Sequence, residues 1–95
     1  LDSSGFVGMY SSIAIGADGF GIISYFDDSN DALKIAHCVA ATCSSALTAT
    51  IDNDGETGWD TSIASGADGL GVISYCDHTD SDVDLKVAHL GIGVP

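Results

Sequence analysis

The stretch Gly8 to Tyr25, GMYSSIAIGADGFGIISY, returns fifty residues later as Gly58 to Tyr75, GWDTSIASGADGLGVISY. A period of this length marks an array of small units, each unable to bury its apolar face alone. Ser12 falls on Ser62, Asp18 on Asp68 and Tyr25 on Tyr75. Leu33-Lys34-Ile35-Ala36-His37 returns as Leu85-Lys86-Val87-Ala88-His89 at an offset of 52, so the second unit carries two extra residues, which belong in a hairpin tip. Residues 1–8, LDSSGFVG, align with Ile51 to Gly58, IDNDGETG. We therefore read residues 1–95 as one domain of two units, about 8–57 and about 58–95, with residues 1–7 as the end of a preceding unit.

Within a unit the signals are those of short strands. Ser11 to Gly16 and Gly21 to Phe26 flank Ala17-Asp18-Gly19-Phe20, and Asp-Gly between apolar runs predicts a hairpin whose two central residues both take positive φ. Ala67-Asp68-Gly69-Leu70 repeats it. A third strand is predicted over Leu33 to Cys38 and over Leu85 to Leu90, and a fourth over Ala46 to Asp52, where Thr alternates with apolar residues. No segment keeps a helical apolar period over three turns. The chain is read as all-β, and 45% hydrophobic residues are enough for a core.

A four-stranded antiparallel meander repeated at about 50 residues is the signature of β-propeller blades. A β-sandwich of seven or eight strands is the rival, but it has no reason to repeat its sequence. The innermost strand of a blade runs where space is tight, and Ser12, Ala14 and Gly16, alternating with Ile13 and Ile15, suit that place. Asp2 to Ala14, followed by Gly21 to Asp27 and Leu33 to His37, resembles the bacterial propeller-type repeats that read DSxGxVGxYxSxAxxxxGxxxISYYDxxxxDLKxA. The resemblance covers both units and departs where Phe26 and Cys76 replace the second tyrosine. It implies a propeller in a secreted or surface protein and no reaction. Asp52 to Trp59 is also similar to the Asp-box of sialidase-type propellers, but the spacing is off by one or two residues, and a turn between units is the preferred reading.

Fourteen acids against two lysines give a net charge of -12, which disfavours nucleic acid and anionic membrane as partners. No apolar run reaches the length of a membrane span, and nothing at Leu1 reads as a signal peptide. Asp52, Asp54 and Glu56, with Asp80, Asp82 and Asp84, resemble oxygen-rich calcium loops, though solvated turn acids are preferred and no cofactor is expected. His37 and His89 share a repeat position, too far apart in a ring to bind one metal ion. Lys34 is expected to reach Asp27 or Asp28, and Lys86 to reach Asp77. Cys38 and Cys43 bracket a tight turn and are read as a disulfide, pointing to an extracellular or cell-surface location. Cys76 is read as apolar filling.

Two blades alone would leave two apolar faces bare, so the chain is expected to close a ring with copies of itself, as a six-bladed homotrimer first and an eight-bladed homotetramer second. The expected function is a non-catalytic binding or structural module, lectin-like toward carbohydrate, with Asp27, Asp28, Asp77, His78, Trp59 and Tyr10 as ligand-binding candidates. The alternative is a hydrolase- or lyase-type propeller enzyme with its site at the channel mouth, for which the sequence offers no nucleophile or acid–base pair.

Overall fold

A computed structural model describes residues 1–3, 5–79 and 83–90. Alternating apolar and small polar residues, punctuated by glycine turns, fold into seven antiparallel strands: β1 (Val7–Ile15), β2 (Gly21–Asp27), β3 (Ala32–Cys38), β4 (Ala46–Asp52), β5 (Thr57–Ser65), β6 (Gly71–Asp77) and β7 (Asp84–His89). They form two meanders, a four-stranded sheet β1-β2-β3-β4 and a three-stranded sheet β5-β6-β7. The described residues contain no helix. Gly91 to Val94, where a short fourth strand of the second unit could lie, fall outside the described residues, as do Asp80 and Asp82.

The Asp-Gly turns differ from the expected type. Gly16 N donates to Phe20 O at 2.8 Å and Gly19 N to Gly16 O at 3.0 Å, and only Gly19 takes positive φ, not Asp18. This is a three-residue loop closed by a left-handed glycine, whose geometry follows the strand twist as well as the two-residue turn does. Gly66, Gly69 and Leu70 repeat the same bonds. β1 and β5 also start four residues earlier than their alternation implies. A bulge lies between Met9 and Ser12, and again between Trp59 and Ser62, with left-handed Gly8 and Tyr10 in one strand and Gly58 and Asp60 in the other. The bulge breaks the two-residue period that makes a strand readable.

The sheets pack face to face, with β5 over β2 and β3 and along β1 in the same direction, as the bonds Thr61 to Tyr10, Ile63 to Ser12 and Ser65 to Ile15 show. Ile22, Leu33 and Ile35 of the first sheet meet Ile63, Ile73 and Tyr75 of the second, with Ala14, Ala49 and Ile51 at the margin. A buried aliphatic side chain contributes about 1.5–3 kcal/mol, so this seam holds the two units together. Three polar contacts cross it. Ser24 and Thr61 share a hydroxyl contact of 2.8 Å, Thr61 Oγ1 donates to Tyr10 O at 2.6 Å, and Ile63 N donates to Ser12 Oγ at 3.3 Å. The small face of β1, Ser12 and Ala14, thus turns toward the second sheet.

Candidate functional site

One arrangement occurs in both units. In the first, Tyr25 Oη donates to Asp2 Oδ2 at 2.7 Å and Lys34 Nζ lies 2.8 Å from the same oxygen. In the second, Tyr75 Oη donates to Asp52 Oδ2 at 2.6 Å and Lys86 Nζ lies 3.0 Å from it. Tyr25 and Lys34 are cross-strand partners, as are Tyr75 and Lys86, so the aspartate arriving from outside the sheet clasps the pair. The expected ion pairs are corrected accordingly. Lys34 meets Asp2 and not Asp27 or Asp28, while Lys86 meets Asp52 and only approaches Asp77, at 3.9 Å. Burial pushes both phenols well above their ordinary range, and the facing carboxylates add to it. Burial opposes ionisation of Asp52, but hydrogen bonds from Tyr75, the Asp54 N–H and Lys86 outweigh it and hold the carboxyl below its usual range.

Asp52, the first of the calcium candidates, has the clasp as its partner set. Asp54 is exposed and donates its N–H to Asp52 Oδ1 at 3.0 Å, and Glu56 is tied by its backbone to Thr79 and His78. Among the described residues no three carboxylate, imidazole or thiol groups gather as a metal ion would require.

The ligand-binding candidates divide. Tyr10, Trp59 and His78 come together in the cleft between the sheets: Trp59 stacks on Tyr10 at 5.3 Å and on His78 at 4.4 Å, and Phe26 leans on Trp59 at 5.7 Å. The rings pack on one another, and the indole N–H of Trp59 is buried with no acceptor among the described residues. Asp27 is buried and caps the β2–β3 turn, accepting Asn30 Nδ2 at 2.8 Å and Ser29 N at 3.0 Å. Asp77 does the same for Thr79, whose side-chain and backbone donors hold that carboxyl below its usual range. Asp28 is exposed beside this turn.

Strand direction sorts the charge. Asp27, Asp28, Asp31, Asp54, Glu56 and Asp77 lie at the edge where β2, β4 and β6 end. At the opposite edge are Asp18 and Asp68, each beside a histidine. Asp68 Oδ2 is 2.9 Å from His89 Nε2; Asp18 Oδ2 is 2.8 Å from His37 Nε2, although the imidazole N–H does not point along that contact. Cys38 and Cys43 form a disulfide with Cα atoms 4.9 Å apart, which suits an oxidising compartment. Cys76 is the free cysteine and is half-buried. No described helix is long and apolar enough to cross a membrane.

The Asp–Tyr–Lys clasp is the feature that reading residues singly misses. Its signal was present, since all three members repeat, at offsets of 50, 50 and 52. In comparisons with family models, curated proteins and solved structures, the chain matches none.

Proposed function

We propose that the chain is a two-blade unit of a β-propeller whose ring is closed by further copies, three giving six blades and four the next choice, and that the ring is a non-catalytic binding module. The observation that carries this is the stacking of the two sheets, with β1 and β5 side by side in one direction and each sheet clasped by the aspartate that precedes it. That is how consecutive blades share an inner wall. The acid-rich edge beside Tyr10, Trp59 and His78 supports a ligand-binding rim. Carboxylates accept hydroxyl protons and ring edges offer apolar contact, the two demands of a sugar, and ring symmetry multiplies a weak site into an avid one.

Two experiments test the reading. Electron-microscopic class averages should give a disc with a central channel, and an elongated particle of two sheets contradicts the ring. On a glycan array the assembled protein should retain at least one sugar class, with binding lowered by Asp54→Asn on the exposed acid-rich edge. Absence of any glycan binding removes the lectin-like part.

A further inference from the structure

The seam inside the chain pairs one face of the first sheet with one face of the second. The two remaining faces carry the same residue types as the seam; the first has Asp2 on Tyr25 and Lys34, and both leave large apolar side chains exposed. Leu33 and Ile35, both 0% exposed in the seam, correspond to Leu85 and Val87 on the outer face of the second sheet, at 79% and 63%. On the other side of the seam, Ile63 at 6% corresponds to Ile13 at 61% on the outer face of the first sheet.

The backbone agrees. Gly58, at φ +105°, lies so close to Leu33 that an added Cβ would stand 2.8 Å from its Cα, whereas Gly8, at φ +98°, faces open space. Gly69 presses on Ala17 at 2.9 Å for the same added atom, and Gly19 again faces nothing within 4 Å. A hollow of about 260 Å³, walled on one side by Leu1 and Asp2 and floored by Val7, Gly8, Ser11, Ile23, Tyr25 and Ala36, opens on the first sheet. The corresponding surface of the second sheet, around Gly58, Thr61 and Ile73, is buried under Leu33 and Ile35.

We propose that the outer face of the second sheet docks on the outer face of the first sheet of a second copy of this chain, in the register of the internal seam. The proposal rests on the ring reading and names its junction. Leu85 and Val87 of one copy fill the hollow of the next. Ser11 takes the place of Thr61 and meets Ser74 and the Asp60 carbonyl of its neighbour, and the Ile13 N–H meets Ser62. Unlike faces pair, so the contact is heterologous and propagates until it closes. The junction lacks the aromatic packing of the seam: the places of Tyr10, Phe26, Trp59 and His78 are taken by Asp60 and Cys76 of one copy and Met9 and Asp28 of the other. It is therefore the weaker of the two seams and parts first, and it covers Cys76.

The test mixes two blocked variants. Leu85→Asp spoils only the outer face of the second sheet and Ile13→Asp only that of the first; both positions are solvent-exposed within a single chain, so each variant keeps its own core. Each alone should sediment as a monomer. An equimolar mixture, at about a hundredfold the concentration at which wild type closes because one junction lacks ring avidity, should give a particle of two chains and no larger. In that mixture Cys76 of the Ile13→Asp chain should be alkylated several-fold more slowly than in that variant alone. Self-association of either variant, or no complex on mixing although wild type assembles, overturns the pairing while leaving assembly itself intact. A monomeric wild type overturns the ring reading and the pairing together. If Leu85→Asp loses its β-sheet circular dichroism, Val87→Lys takes its place with the same expected outcomes.

Discussion

Asp52 is held by a phenol, an ammonium group and a backbone amide at once, and removing it strands all three. Asp52→Ala should lower stability by about 1–3 kcal/mol, mostly through the unpaired Tyr75 hydroxyl. Lys86 is more than a third exposed, so its ion pair adds less than about 1 kcal/mol. The pH dependence has a defined sign. The carboxyl is depressed in the folded chain, so its contribution is complete above the ordinary value of 3.8 and is lost as pH falls through the lower folded value. Tyr75 is raised, so its contribution is complete below 10.0 and is lost as pH rises beyond it. Urea midpoints measured against pH should show a shallower acid limb in Asp52→Asn and a shallower alkaline limb in Tyr75→Phe. Wild-type slopes in both would contradict the clasp. The sequence marked Asp52, Tyr75 and Lys86 as repeated but could not pair them. Lys86 sits opposite Tyr75 on the ladder, and the carboxylate that reaches both comes from 34 residues away. Pairing within the nearest turn, the assumption that gave Asp77 to Lys86, overlooks a chain segment crossing from the neighbouring unit.

Strands and turns were the more readable level, because a period of two and an Asp-Gly pair act locally. What stayed hidden were the bulges in β1 and β5, where two left-handed residues interrupt the alternation. Gly58 belongs to one of these bulges and also touches Leu33 across the seam. Gly58→Ala therefore meets both an unfavourable φ and backbone atoms, and should cost more than the roughly 1–3 kcal/mol of a strained residue alone, measured by thermal melting. The Cys38–Cys43 bond spans only five residues, and a loop that short gives about 2 kcal/mol of stabilisation by the chain-entropy account. Cys38→Ser should lower the unfolding free energy by that amount without altering the sheet signal. Alkylation of the denatured, unreduced protein should modify one cysteine, Cys76, and modification of three would remove the bond.

At the scale of the molecule, the 50-residue repeat corresponds to two sheets, and the strand and turn signals to their antiparallel meanders, but the sequence pattern is silent on how the sheets join. It could not tell which faces meet, because Leu33 and Leu85 look alike in sequence and differ only in what covers them. The chain's extents of 40 × 30 × 19 Å and radius of gyration of 12.5 Å describe one pair of stacked sheets. Three such chains in a compact ring have a radius of gyration near 19 Å by the scaling of globular domains. Light scattering combined with small-angle X-ray scattering on the purified wild-type chain tests the ring most directly. The account predicts a single species of three times 9.6 kDa with a radius of gyration of roughly 19 Å or more. A monodisperse 9.6 kDa particle near 12.5 Å would contradict it.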